Sequence, residues 1–165
     1  MEYSKIIAAL GLVIIVGFVV YKMTNHDTRT PYEKAKPHLE AGETFLTQNA
    51  QKDNIQSLPN GLQYEVLQPG TGPQPNIKSK VQVHYKGTLI DGTEFASSYK
   101  RGQPATFPLS NVIAGWQQGI PLMKEGAKYR LFVPNKLAYG LTSPSPDIPP
   151  GALLIFEVEL LKVLS

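Results

Sequence analysis

Acid–base and nucleophilic catalysis need polar side chains brought together with tuned pKa values, and this sequence offers few. Its three histidines, His26, His38 and His84, stand far apart. Ser97-Ser98 has no histidine near it in sequence to serve as its base, and no G-x-S-x-G turn occurs. Gly70-Thr71-Gly72 opens like a phosphate-cradling turn but runs on into Pro73-Gln74-Pro75, which cannot start a helix with free N–H groups. The absence of cysteine excludes a thiol nucleophile, an iron–sulfur cluster, a cysteine zinc site and a disulfide scaffold together. What remains is aromatic. Tyr85, Phe95, Phe107, Trp116, Tyr139 and Phe156, joined by Val112 and Ile113, fall at strand ends and turns. They serve either as ordinary core or as the lining of an apolar cup that binds without proton transfer.

The elements that position them follow from period and punctuation. Leu62, Tyr64 and Val66 alternate with polar residues up to Pro69-Gly70. Lys80 to Ile90 alternates again, with Val81, Val83, Tyr85 and Leu89 on one face and His84 on the polar, solvated one. Asp91-Gly92 supplies a hairpin turn, and Thr93-Glu94-Phe95 returns. Ser110-Asn111 is placed to cap a short helix carrying Val112, Ile113, Trp116 and Ile120. Lys128 to Val133 forms another strand, and Leu153 to Leu164, apolar in both registers, a central one. The expected class is α+β: a curved antiparallel five-stranded sheet wrapped around one short helix. Four prolines restrict the loop from Leu141 to Gly151.

Upstream the chain changes character. Ile6 to Tyr21 carries no charge and is bracketed by Lys5 and Lys22. From Tyr3 to Met23 a helix spans roughly 30 Å, the thickness of a hydrocarbon core. A buried core helix rarely runs so long without a polar face, and no small-x-small site follows for cleavage as a signal peptide. Residues 1–23 are therefore read as a single-span signal anchor. The lysine and arginine distribution does not decide its orientation. Residues 24–56 read as a polar, partly helical stalk. Pro31 can open a helix, and Leu39, Ala41 with Gly42, Phe45, Leu46 and Ala50 form one narrow apolar stripe. Residues 57–165 read as the globular domain. Apolar residues are 42% of 165, and Gly and Pro, 14 each, fall short of a low-complexity composition. A net charge of +3 with interleaved signs argues against nucleic acid.

Several runs are more specific. Val83-His84-Tyr85-Lys86-Gly87, Gly92-Thr93-Glu94-Phe95, Val112-Ile113-Ala114-Gly115-Trp116, Leu137-Ala138-Tyr139-Gly140, and Ile148-Pro149-Pro150 through Leu153-Leu154-Ile155-Phe156 resemble, in order and spacing, the FKBP-type peptidyl-prolyl cis–trans isomerases. Phe45-Leu46, Asn49 and Leu58 to Tyr64 extend the resemblance to the helix-to-domain junction of the bacterial macrophage infectivity potentiator branch. The resemblance implies a prolyl isomerase for folding proteins at the membrane surface, with no cofactor and no metal. Trp116 is the implied floor for a proline ring. Tyr85, Phe95, Val112, Ile113, Tyr139 and Phe156 are the implied walls, with Phe107 beside them. Catalysis is implied for Tyr85, Phe95, Trp116, Tyr139 and Phe156, and the Ile113 N–H and Tyr139 hydroxyl are implied to hold the peptide's carbonyls. Implied partners are X–Pro segments of client proteins and rapamycin-class macrolides. The expected setting is a monomer held in the inner membrane by one span, its domain on the periplasmic side.

The sequence departs from the pattern at three positions. Ala105 replaces an aromatic of the best-known members, as in the Mip branch, and Pro144 stands where they often carry histidine. Ala96 stands where active members carry the aspartate of a Phe-Asp pair. That loss separates two readings: an isomerase, and a peptide-binding or chaperone module that kept the cup and lost turnover.

Overall fold

The last strand organises the rest. In the structure, a computed structural model that describes residues 27–164, β7 (Leu154–Val163) lies between β3 (Lys80–Thr88) and β6 (Lys128–Val133), antiparallel to both. Its even positions Leu154, Phe156, Val158 and Leu160 are buried, because successive side chains of a strand point to opposite faces and one face meets the core. β2 (Gln63–Gln68) pairs with β6, and β1 (Ile55–Ser57) with β2. The outer edge of β3 is shared by two short strands, β4 (Glu94–Ser97) and β5 (Ala105–Pro108).

The sheet therefore has seven strands rather than the expected five. The two additions, β1 and β5, span only Ile55–Ser57 and Ala105–Pro108. Neither is long enough to display a period, and β5 is bracketed by Pro104 and Pro108, residues confined to strand ends and edges.

Two helices cover opposite faces, as β6 shows. Leu131 and Val133 face α2 (Ala114–Gly119) so closely that a Cβ on Gly115 would come within 2.3 Å of Val133 and one on Gly119 within 2.9 Å of Leu131. Phe132, between them, faces the other way and meets Phe45 of α1 (Pro31–Asn49) with ring centroids 5.8 Å apart. α1 starts with proline in its first turn and continues through Pro37, whose ring lies on an exposed face. Its buried residues Ala35, Gly42 and Asn49 recur every seventh position. Ala41 and Ala50, expected in the stripe, are exposed. Gly42 lies against Leu153, and Ala35 and Leu39 against Gly151. The helix is thus part of the compact unit Pro31–Ser165. Among the described residues no helix is long and apolar enough to cross a membrane; the apolar segment 6–21 lies outside them.

Candidate functional site

The concave face of the sheet, α2 and the proline-rich loop enclose a cavity of about 550 Å³. Its floor is Trp116, on the single turn-and-a-half of α2, with 4% of its surface exposed. Three rings stand edge-on against that indole: Tyr85 of β3 at 5.2 Å, Phe156 of β7 at 5.2 Å, and Phe107 of β5 at 5.8 Å. Phe95 of β4 is T-shaped on Phe156 at 5.5 Å. Edge-to-face packing suits the ring quadrupoles and fixes each ring against its neighbours. Gly87 leaves the room for this, since a Cβ there would fall 2.6 Å from Phe95 and 3.0 Å from Phe156.

All eight residues singled out from the sequence line this one cavity: Tyr85, Phe95, Phe107, Val112, Ile113, Trp116, Tyr139 and Phe156. Val112 and Ile113 precede the helix rather than belonging to it. Ile113 is the N-cap position with extended ψ of 151°, and no side chain caps the helix, so Ser110-Asn111 does not play that part. The Ile113 carbonyl accepts from the N–H groups of Trp116 and Gln117 at 2.9 and 3.1 Å. Gln117 reaches back to donate to the Val112 carbonyl at 2.9 Å, which pins the wall. Tyr139 rises from the opposite rim, 38% exposed, where the loop is closed by the Gly151 N–H on the Gly140 carbonyl at 2.9 Å.

Asn111, Ser145, Ile148, Pro144 and Ala96 complete the lining. Ser145 carried no sequence signal, because an isolated hydroxyl in a loop has none, and Asn111 stood out only as a cap candidate, not as a lining residue. Ser98 is the other surprise. It is fully buried, and its Oγ lies 2.8 Å from His84 Nδ1, so the serine does have a histidine beside it. The pair is not a nucleophile: the hydroxyl oxygen accepts the Tyr85 N–H at 2.8 Å and sits 3.2 Å from the Tyr85 carbonyl. It fixes the backbone under a wall residue. His84, expected to be solvated, is half-buried and stacked on Tyr99 at 4.5 Å. Burial, and a hydrogen bond to Glu159 at 3.1 Å, push the Tyr99 hydroxyl up to about 12.

Among the described residues, no carboxylate, histidine or ammonium lines the cavity. Two donors at the cavity make no hydrogen bond among the described residues, the Ile113 N–H and the Tyr139 hydroxyl; the fully buried indole N–H of Trp116 has no partner among them either. An apolar cavity edged by a few donors suits an apolar ligand that carries hydrogen-bond acceptors.

Residues 72–161 match the model of the FKBP-type peptidyl-prolyl cis-trans isomerase family. The chain belongs to that family. Residues 17–66 match the model of the domain amino terminal to such isomerases, which takes in α1. The FKBP-type isomerase FkpA of Aeromonas hydrophila is 47% identical over 140 residues, covering 84% of this chain and 52% of the relative. The isomerase Mip of Coxiella burnetii is 50% identical over 126 residues, 76% of this chain and 55% of the relative. The chain thus spans about half the length of these relatives. The crystal structure of FkpA from Escherichia coli superposes with a TM-score of 0.79 at 36% identity, covering 93% of this chain and 71% of that one.

Proposed function

We propose that the chain isomerises X–Pro peptide bonds of folding proteins by taking the proline ring into the aromatic cup. The observation that carries the reading is the edge-on stack of Tyr85, Phe107 and Phe156 around a buried Trp116, beneath donors that lack partners. Uncatalysed isomerisation takes about 10–100 s because twisting the amide costs about 18–20 kcal/mol of resonance. A planar amide carries separated charge that an apolar, water-poor cavity solvates badly; the twisted amide carries less, so the cup favours it. The Ile113 N–H and Tyr139 hydroxyl hold the flanking carbonyls and supply orientation. Lowering the barrier by about 5–7 kcal/mol accelerates the step roughly 10⁴- to 10⁵-fold. No proton is transferred and no bond to the enzyme forms.

A second reading rests on Ala96, a methyl in the lining where the family resemblance places a carboxylate: a peptide-binding or chaperone module with weakened turnover. Rapamycin-class macrolides fit either reading. Turnover of a neutral X–Pro peptide, set beside the titration of Trp116 fluorescence by the same peptide, separates the two. Turnover supports the enzyme; saturable quenching without turnover supports the module; neither result sinks both. Trp116 is the single tryptophan of the chain, so its emission reports the cup alone.

The setting belongs to the same proposal: residues 1–23 anchor the chain in the inner membrane, with the domain on the periplasmic side. A reporter joined after Ser165 and active only in the cytosol would overturn that orientation. A monomer is supported by α1, whose apolar stripe is occupied by its own sheet.

A further inference from the structure

The rim of the cup is chemically lopsided. Its lining holds no charged side chain, yet one cation, on the segment between β4 and β5, lies against a ring of its wall. Tyr99 to Gly102 make a tight turn closed by the Gly102 N–H on the Tyr99 carbonyl at 3.0 Å, with Gly102 at a φ of 72°. The turn is tied to the wall strand through the Ser98 N–H on the Tyr85 carbonyl at 2.9 Å. Arg101 occupies its third position. The guanidinium lies 5.4 Å from the centre of the Tyr85 ring and donates to the Tyr85 hydroxyl at 3.3 Å. A cation over an aromatic face is held there by the ring quadrupole.

The nearby acids are taken. Glu94 pairs with Lys100 at 2.8 Å and Glu159 accepts from the Tyr99 hydroxyl at 3.1 Å. Among the described residues no carboxylate lies within 4 Å of Arg101. Its charge is therefore positioned and uncompensated, and the hydrogen bond to Tyr85 leaves most of its five donors open.

We infer that Arg101 selects X–Pro segments carrying an acidic side chain beside the proline, by pairing with that carboxylate at the Tyr85 rim. The inference rests on the cup being the peptide site, as proposed above. It makes Arg101 a specificity residue rather than a catalytic one. The contact is solvent-exposed, so its size is that of an exposed ion pair, about threefold in kcat/KM at low ionic strength.

The test uses the full chain and matched peptides, amidated to remove the terminal carboxylate, with Glu or Gln placed in turn at the residue before the proline and the two after it. At one of these positions or more, the Glu peptide is expected to be turned over about threefold faster than its Gln twin. The ratio is expected to fall towards one in 0.5 M salt, where charges are screened beyond about 4 Å. It is expected to fall likewise in Arg101→Gln, to survive in Arg101→Lys, and to invert in Arg101→Glu, which favours a Lys peptide. Turnover of the Gln peptides with a Glu-to-Gln ratio below about 1.5 at every position overturns the inference and leaves the isomerase reading standing. If no peptide is turned over, the isomerase reading falls, and the same ratios in Kd, read from Trp116 fluorescence, decide the inference.

Discussion

The two faces of the sheet bury aromatic surface in opposite ways. On the convex face, Phe45 of α1 meets Phe132, and the seam ends in a closed amide clasp. Asn49 Nδ2 donates to Gln63 Oε1 at 3.0 Å, Gln63 Nε2 donates to the Leu46 carbonyl at 2.9 Å, and Lys52 caps Asn49 Oδ1 at 3.0 Å. On the concave face the rings are as tightly arranged, but among the described residues the buried indole N–H has no partner, and the half-buried Ile113 N–H and the exposed Tyr139 hydroxyl make no hydrogen bond. Buried polar groups are paired in nearly all cases because leaving one unpaired costs about 1–3 kcal/mol. A face that satisfies its donors is finished; the cup keeps the Ile113 N–H and the Tyr139 hydroxyl open to a ligand. The difference assigns stability to the seam and function to the cup, and substitutions can break that assignment.

The largest effect is expected at the floor. Trp116→Leu keeps part of the apolar volume but removes the flat face and the three edge-on contacts. Turnover of an X–Pro peptide is expected to fall about fiftyfold, equivalent to about 2.3 kcal/mol of barrier, while the thermal midpoint moves by only a few degrees. Unfolding of the variant would mean that Trp116 is ordinary core, and parent-like turnover would place the site elsewhere.

The seam is expected to behave in reverse. Asn49→Ala strips both hydrogen bonds from a residue 1% exposed and leaves Gln63, itself 5% exposed, unpaired at its oxygen. Stability is expected to drop by about 2 kcal/mol in denaturant titrations, with kcat/KM unchanged within twofold. A loss of turnover in molecules that remain folded would show that α1 reaches the cup through the sheet, and the division of labour would fail.

Ala96 sharpens the comparison from the side of function. It pairs with Gly87 across the β3–β4 ladder and borders the cavity. Ala96→Asp is expected to raise turnover and tighten macrolide binding at least threefold, since a well-placed bond to a charged group contributes about 1.5–3 kcal/mol and burial of the carboxylate takes back part of it. Kinetics and titrations of the two chains side by side, with melts as control, decide it. Unchanged or weaker activity in a folded variant would mean that Ala96 does not limit this site.

How far the sequence carried the reading depends on element length. Val81 to Tyr85 announces its face because several alternations repeat; Leu153 to Leu164, apolar in both registers, announces a central strand but not which side meets the core. β1 and β5 are hidden because three or four residues hold no period. The cup's residues were legible through order and spacing of short motifs that resemble a family, not through chemistry, since rings alone read equally well as core. Arg101 was illegible: a cation in a polar turn looks like any solvated residue until the fold sets it over Tyr85. The docking of α1 was half legible. Leu39, Gly42, Phe45 and Leu46 gave the stripe, but Ala35 and Asn49, small or polar and outside it, are buried as fully as Gly42.

The smallest effect is expected where the convex face continues past the seam. Glu65, Arg130 and Glu157 face one another across β2, β6 and β7, with the guanidinium donating to both carboxylates at 2.8 Å. The hydrogen bond from Arg130 holds the Glu157 carboxyl below its ordinary range; burial opposes it, and the charges of Arg130, Lys128 and Lys86 assist. A carboxyl whose folded pKa is depressed stabilises the fold above its unfolded value of about 4.3, and that contribution disappears as pH falls through the folded value. The glutamate is 32% exposed, so solvent screens the pair and its worth is about 0.5 kcal/mol. Glu157→Gln is therefore expected to melt one or two degrees below the parent at pH 7 and together with it near pH 3. A gap that stays constant across that range would locate the loss in packing rather than charge. Turnover should not move at either pH where the chain is folded, because Glu157 and Phe156 are neighbours in sequence but point to opposite faces of one strand.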